Sequence, residues 1–197
     1  MHTGRLPHLE RGLLRFFPTP RFLTMPAAGI DISDSSVKCL ELSVRRGRFV
    51  VERFGERPIP TGVVQKGRVV DAPRLVSVLQ GMRRDFGLTF VRASLPEEEA
   101  YIFTTPLPQN LSDAETRSAL EFRLEENVPI AAIDAVFDWD ALDSSPARRA
   151  AVSVYPRDII RSYAETMRAA GLSPLSFEVE AQAIARAIVA HDDPGTY

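Results

Sequence analysis

The stretch GIDISDSSVKCLEL, residues 29–42, joins two strand-like segments through a turn made of carboxylates and hydroxyls. Two kinds of structure use such a turn. One is a plain surface hairpin, in which aspartate and serine side chains accept hydrogen bonds from nearby backbone N–H groups. The other is a loop beside a phosphate group and its metal ion, because a tight turn presents backbone donors to an anion. The residue types alone leave both interpretations open.

The composition is that of an ordinary globular protein. The chain has 197 residues, enough for one large domain or two small ones, with 45% hydrophobic and 25% charged residues. Its formal net charge of −2 provides no basic field for nucleic acid. Cys39 is the only cysteine, which excludes an internal disulfide. No run approaches the roughly 18 apolar residues that span a bilayer, so we expect a soluble protein.

The first 26 residues differ from the rest and are predicted to be an extension outside the folded domain. They contain prolines at positions 7, 18 and 20, and the periodic pattern begins only after Pro26. The stretch has no long apolar core, which argues against a secretory signal. We favour translation from Met25 rather than Met1, which would make the extension non-native. The alternative is a disordered or amphipathic basic arm that touches a membrane surface or a partner.

Strand and helix patterns alternate along the remaining chain. Three strand patterns open it, and the apolar spacing then predicts a helix from Ala72 that ends at Gly87. A capping box of Ser112 and Glu115 starts a second helix. Pro156 opens a third, and a last strand runs into a fourth.

This order of elements predicts the domain organisation. Hairpins that alternate with helical crossovers favour an α/β fold with a mixed sheet. The polar segments LPEEE and SSPARR bound an insertion, residues 97–147, which we expect to form a small subdomain. Residues 27–96 and 148–197 would then form the two parts of one lobe.

Four segments resemble, in order, those of PilM-like proteins, the cytoplasmic actin-like ATPases of type IV pilus assembly. They are GIDISDSSVKCLEL, SLPEEEAYIFTTPLP, NLSDAETRSALEFRLEENVPI and YPRDIIRSYAETMRAAGLSPLSFEVEAQAIARAI. Four segments that match in the same order and spacing identify a family more specifically than any one segment alone. The resemblance implies an actin-like (ribonuclease H-like) ATPase lobe with a mixed sheet and a small inserted α/β subdomain. It also implies that a second lobe follows Tyr197, so that this chain is the N-terminal half.

The resemblance assigns a role to the first loop. Asp31 would hold Mg²⁺ through water, because this cation prefers oxygen ligands. The loop would bind the phosphates of ATP through its backbone and through the side chains of Ser33, Asp34, Ser35, Ser36 and Lys38.

Two residues of this loop depart from the family pattern. Ser33 replaces the glycine expected after Ile32, and a side chain there limits the approach of a phosphate to the backbone. Asp34 stands where a hydroxyl is expected, and a carboxylate repels polyphosphate unless a metal intervenes. The resemblance therefore predicts binding of ATP and Mg²⁺, whereas the two departures argue against efficient hydrolysis.

Glu180 matches the acidic residue that starts the helix after the last strand in this superfamily. There it would orient a water for attack on the terminal phosphate. The alternative is that a glutamate at a helix start only favours the helix dipole. Since Glu178 and Glu180 alternate along the strand pattern, only one of them is expected to face a cleft.

The resemblance also predicts a partner. In PilM-like proteins a groove beside the inserted subdomain takes the N-terminal cytoplasmic tail of a membrane-anchored, PilN-like protein. Leu120, Phe122 and Leu124 are the candidate contacts, because their helix carries more apolar residues than one core face requires. The alternative is that they fill the core of the subdomain. The protein would lie in the cytoplasm, reach the inner membrane only through partners, and self-associate.

Two other functions fit the same segments less well. A non-catalytic binding module of a related type II secretion platform would share the fold without needing nucleotide, and Ser33 and Asp34 favour it. A small-molecule kinase of the same superfamily would need a substrate cleft and a second lobe that these residues do not contain. The histidines lack zinc-site spacing, and no serine or cysteine lies in a nucleophile-elbow pattern.

Overall fold

A computed structural model describes residues 27–108, 111–142 and 149–188. The predictions made for residues 1–26, for the polar turn within 143–148 and for His191 lie outside these ranges. No helix in the described ranges is long and apolar enough to cross a membrane.

The main sheet has five strands and confirms the predicted mixed topology. Its strand order is β10-β6-β1-β2-β3. The first three strands form an antiparallel meander, and the other two run parallel to β1. The bounds are β1 Ala28–Ile32, β2 Ser36–Arg45, β3 Arg48–Pro58, β6 Phe90–Leu95 and β10 Ser173–Val179.

A short hairpin lies between the meander and the first helix. The sequence predicted a loop or a short strand there, and the structure has β4 (Val64–Gln65) and β5 (Arg68–Val69). The turn between them consists of Lys66 and Gly67, both with positive φ. A Cβ on Gly67 would lie 2.9 Å from the Cβ of Pro96, so this position requires glycine both for conformation and for space.

Three helices complete the main lobe. Helix α1 (Ala72–Phe86) begins at an Asp71 cap and ends at Gly87 with φ 60°, as its pattern predicted. Helices α3 (Arg157–Ala169) and α4 (Glu180–Ile188) flank β10 in the chain. The core between sheet and helices is closed by fully buried side chains such as Leu75, Met82 and Met167.

The small subdomain is a three-stranded antiparallel sheet in the order β7-β9-β8, with one helix against it. Its elements are β7 Tyr101–Pro106, α2 Asp113–Asn127, β8 Ala135–Leu142 and β9 Arg149–Pro156. The predicted capping box of Ser112 and Glu115 is present. The subdomain extends past the predicted boundary at 147, because β9 is its central strand and pairs with both neighbours.

Candidate functional site

The ends of three parallel strands bring acidic residues to one edge of the main sheet. Asp31 is the next-to-last residue of β1, Glu97 follows β6, and Glu180 follows β10 as the first residue of α4. Because β1, β6 and β10 are parallel, their carboxyl ends meet at the same edge, where open α/β sheets bind ligands.

The Asp31 carboxylate contacts polar side chains of both neighbouring strands, β6 and β2. The Ser94 hydroxyl donates to Oδ1 of Asp31 at 2.8 Å, and Nζ of Lys38 lies 4.0 Å from Oδ2. The Asp31 side chain is 35% exposed. These three residues line an open cavity of about 470 Å³. Oδ1 of Asp31 is thus held by Ser94, and the carboxylate as a whole remains partly exposed to the cavity.

Backbone N–H groups of the loop after Asp31 donate hydrogen bonds to a side chain of the same loop. The N–H groups of Ser35 and Ser36 donate to Oγ of Ser33, at 3.4 and 3.2 Å. This is the local serine turn that the surface-hairpin interpretation predicted, with Ser33 rather than an aspartate as acceptor. A phosphate in this loop would have to displace Oγ of Ser33 to reach the two N–H groups.

Asp34 connects the loop to the β4–β5 hairpin. Its carboxylate accepts hydrogen bonds from the backbone N–H of Lys66 at 2.9 Å and of Gly67 at 3.3 Å. The buried Tyr163 hydroxyl donates to the Gly67 carbonyl at 3.1 Å, and burial raises the pKa of this phenol, so it stays protonated. Asp34 therefore positions the loop in this structure, and its carboxylate oxygens are engaged by protein donors.

Glu180 lies in a negative environment. Burial raises the pKa of its carboxyl, and the charge of Asp31 raises it further. Glu97 and Glu98 act in the same direction, whereas Lys38 opposes them. The carboxylates around this edge repel one another, and a bound cation would relieve that repulsion.

We expect Glu180→Gln to stabilise the protein at neutral pH and not at acidic pH. A carboxyl whose pKa is raised by folding binds its proton more tightly in the folded state, so it favours folding when protonated. That contribution is present below its ordinary pKa and is lost as the pH rises through the raised value. Glutamine resembles the protonated form at every pH. Urea denaturation at several pH values measures the difference.

The control for this prediction is Glu126→Gln, at an exposed position of α2. Its effect on the denaturation midpoint should be small at both ends of the pH range. If Glu180→Gln changed stability equally at neutral and acidic pH, packing rather than charge would explain it.

The acidic residues at this end of the sheet are compatible with a metal ion that is coordinated mainly by water and by a bound phosphate compound. In the part of the chain that the structure describes, no three His, Cys, Asp or Glu side chains are grouped so that they could hold a metal ion. Mg²⁺ commonly keeps several waters and uses one or two carboxylates plus substrate phosphates. The partly exposed Asp31 carboxylate is compatible with that role, which stays a prediction.

A second cavity, the inter-sheet groove, lies between the small subdomain and the main lobe. It has a volume of about 540 Å³. Residues 136–140 of β8 form one wall and residues 176–179 of β10 the other. Arg117 of α2 and Arg186 of α4 also line it. The Arg117 guanidinium lies 5.1 Å from the ring centroids of both Phe137 and Trp139.

The predicted partner contacts on α2 do not line this groove. Leu120 and Leu124 are fully buried in the subdomain core, so they are unavailable to a partner in this structure, and the core alternative is correct for them. Phe122 is 80% exposed, and its role stays a prediction. The spacing contained the signal: Leu120, Leu124 and Val128 recur every four residues, whereas Phe122 lies on another face.

Ser94 and the groove residues were not found from the sequence. Ser94 contacts Asp31 because β6 pairs parallel with β1, with Ala93 opposite Ile30. Glu178 lines both the inter-sheet groove and the Asp31 cavity and pairs with Arg186 at 2.5 Å, whereas Glu180 lines neither of these cavities. A hydroxyl at the end of a buried strand is the only signal that could have indicated Ser94.

Fold and site together define one lobe of an actin-like protein, in which a polar loop follows the first strand and a small subdomain is inserted. A family model described as "Type IV pilus assembly protein PilM" matches residues 29–193. The match spans most of the chain, and the chain belongs to this family.

Solved structures share the fold. The structure titled "PilM-PilN type IV pilus biogenesis complex" matches with a TM-score of 0.73 and 20% identity, over 82% of this chain and 49% of that chain. The cytoplasmic domain of EpsL, an inner membrane component of the type II secretion system of Vibrio cholerae, matches with a TM-score of 0.50 and 11% identity. That match covers 76% of this chain and 56% of the other. The chain thus spans about half the length of these proteins.

Proposed function

We propose that this protein is a cytoplasmic scaffold of type IV pilus assembly that binds the N-terminal cytoplasmic tail of a membrane-anchored, PilN-like protein. The observation that carries this proposal is the inter-sheet groove. Each of its strand walls contributes four or five consecutive residues, a length of about 15 Å, which suits a short extended peptide. A solved structure with the same fold is titled as a PilM–PilN complex.

Contacts between the small subdomain and the main lobe hold the groove in shape before any partner binds. The buried Tyr155 hydroxyl lies 3.1 Å from the carbonyl of Leu95 and 3.0 Å from that of Pro96. Nε2 of Gln182 donates to Oγ of Ser153 at 2.8 Å. A preformed groove lowers the entropic cost of binding a flexible tail.

The test is a substitution that fills the groove without disturbing a core. Val136 is partly exposed on β8 and lines the groove. Val136→Trp keeps a residue with high strand propensity and should weaken binding of a tail peptide at least tenfold by steric exclusion. Isothermal titration of the full-length protein with a synthetic peptide of the tail measures the affinity.

Ile102→Trp provides the matched control. Ile102 is 53% exposed on β7, the opposite edge strand of the same small sheet, and does not line the groove. Its tail affinity should stay within about twofold of the wild type. If the Val136→Trp and Ile102→Trp variants bound the tail peptide with equal affinity, the tail would bind outside the inter-sheet groove.

Binding of Mg²⁺ and ATP at the carboxyl end of β1 is the second part of the proposal. Asp31 would hold a water of the metal, and Lys38 would contact phosphate oxygens. When bound, the metal would neutralise charge on the phosphates and on the acidic edge. Ser35 and Ser36 would offer their N–H groups, and Glu180 would orient a water if hydrolysis occurs.

A non-catalytic binding module, as in the type II secretion platform, is the rival function. The favouring observation is that Ser33 already occupies the N–H groups of Ser35 and Ser36. Such a module would keep the groove and dispense with nucleotide. The Asp31 substitution described in the Discussion separates the two proposals.

A further inference from the structure

The β2–β3 hairpin carries large apolar side chains that lie outside both hydrophobic cores. No residue of β3 is buried. The apolar side chains in question are between 44% and 79% exposed, and they are Leu40, Leu42, Val44, Phe49, Val51 and Phe54. Exposed apolar residues that occur singly are normal on a protein surface, whereas a cluster on one element indicates an interaction surface.

Strand pairing places these side chains on one face of the main sheet. The paired residues are Val44 with Phe49, Leu42 with Val51 and Leu40 with Phe54. Residues paired across two strands share a face, as do alternate residues of one strand. The opposite face is covered by helix α1, because a Cβ on Gly55, the partner of the buried Cys39, would collide with the Phe86 ring. The cluster therefore forms an outer apolar face, on the side of the sheet away from α1.

Exposure on the outer apolar face rises toward the turn of the hairpin. It is 44% at Leu40, 66% at Val44 and 79% at Phe49, where the two strands meet. The turn itself contains two residues with positive φ, Arg46 at 53° and Gly47 at 75°. The most exposed apolar side chains thus lie next to the tip of the hairpin.

Arginines surround this tip. Arg45, Arg46 and Arg48 lie on either side of the turn glycine. Arg45 pairs with Glu52 at 2.6 Å, whereas Arg46 and Arg48 form no ion pair with another described residue. The tip therefore combines exposed apolar side chains with positive charge in excess of its acidic partner.

We propose that the outer apolar face and the tip arginines bind the surface of an anionic lipid bilayer. Val44 and Phe49 would insert at the boundary between headgroups and acyl chains, while Arg46 and Arg48 contact lipid phosphates. A bilayer surface provides both complements together, a plane of anionic groups with hydrocarbon directly beneath it. This contact goes beyond the proposed function, because it attaches the protein to lipid directly as well as through a membrane-anchored partner.

A second copy of the chain fits the charge pattern less well. Lys38 and Glu56, which pair across the two strands, border the outer apolar face at the end away from the tip. Two copies packed face to face in opposite directions would place the tip arginines against this mixed pair. Two copies packed in the same direction would bring the arginines of both tips together. Neither orientation offers the arginines an acidic cluster, and like charges in contact oppose association.

Flotation of the full-length protein with lipid vesicles tests the charged part of the surface. The protein should float with vesicles of phosphatidylglycerol and phosphatidylcholine and not with phosphatidylcholine alone, and added salt should weaken binding. Combining Arg46→Asn with Arg48→Gln should weaken binding to the anionic vesicles about tenfold or more, because two basic contacts are lost. Asparagine tolerates the positive φ of position 46. Arg84→Gln, at an exposed arginine of α1, is the matched control and should bind like the wild type.

Phe49→Ser tests the apolar part of the surface. It should weaken binding to the same vesicles about tenfold, because a large aromatic side chain no longer enters the interface. Since Phe49 is so exposed, the variant should keep the fold, which circular dichroism checks. Ile133→Ser is the matched control. Ile133 is 80% exposed in the small subdomain, and its replacement should leave vesicle binding unchanged.

Tryptophan fluorescence provides an independent readout. The tryptophan introduced by Phe49→Trp should be quenched by vesicles whose acyl chains carry bromine, because it would lie among those chains. The wild-type protein is the control, since its single tryptophan, Trp139, lies at the inter-sheet groove and should not be quenched.

Three results would overturn the proposal. One is failure of the wild-type protein to float with the anionic vesicles. Another is equal vesicle binding by the wild type and Phe49→Ser, and if sedimentation then showed that this variant dissociates an oligomer, the outer apolar face would be an interface between copies. The third is a blue-shifted emission of the tryptophan at position 49 before lipid is added, because another part of the protein would already cover the face.

Discussion

Asp31→Ala should weaken the binding of Mg²⁺-ATP by about ten- to a hundredfold while the protein remains folded. The carboxylate would be the side chain that orients the water of the metal, and hydrogen bonds to charged groups contribute about 1.5–3 kcal/mol. Its side chain is partly exposed, and among the described residues its polar contacts are with Ser94 and Lys38, so its loss should cost little stability. Titration with a fluorescent ATP analogue in the presence of Mg²⁺ measures the affinity.

Asp85→Ala is the matched control for that experiment. Asp85 is an exposed aspartate that pairs with Arg57 on the surface, away from the ends of β1, β6 and β10. Its nucleotide affinity should equal that of the wild type. If the wild-type protein binds no Mg²⁺-ATP, or if Asp31→Ala binds it equally well, the non-catalytic module becomes the better proposal. Unfolding of Asp31→Ala would assign the residue a structural role instead.

Leu124→Ala should lower the free energy of unfolding by about 2–5 kcal/mol. The side chain is fully buried in the core of the small subdomain, and a leucine-to-alanine change removes transfer energy and leaves a cavity. β8 belongs to the same core through Phe137, so the tail site should be lost where the subdomain unfolds. Chemical denaturation of the full-length protein, followed by tryptophan fluorescence, reports on this region through Trp139.

Phe122→Ala distinguishes the core from the surface of the same helix. Because Phe122 is 80% exposed, its replacement should change stability by no more than about 0.5 kcal/mol. A destabilisation as large as that of Leu124→Ala would mean that α2 presents another face to the sheet. A loss of tail affinity without a loss of stability would support the predicted partner contact of Phe122.

Local sequence patterns were sufficient for the secondary structure. The capping box at Ser112 and the glycine at Gly87 determine where two helices begin and end, because they satisfy backbone groups that helix termini leave unpaired. The alternation in β2 and β3 likewise determines a meander. Such signals depend on neighbours within a few residues, so they are visible in the chain itself.

The same local patterns did not predict the environment of a side chain that fits two different environments. An apolar side chain on α2 is equally compatible with a core and with a partner surface until the facing sheet is known. The subdomain boundary at 147 was misplaced for a related reason. A polar turn before β9 indicates a loop, but it does not indicate which sheet the next strand joins.

The features of the candidate site likewise fall into those that the sequence determined and those that only the tertiary structure determined. The sequence by itself determined that a carboxylate, Asp31, lies near the end of the first strand and that an acidic residue, Glu180, starts the last described helix. Only the tertiary structure decided that Ser94 holds Asp31, that Asp34 binds the β4–β5 hairpin and that β8 and β10 line one groove. Each of these features brings together residues 32 or more positions apart. Strand pairing sets them, and pairing is a property of the whole chain rather than of any segment.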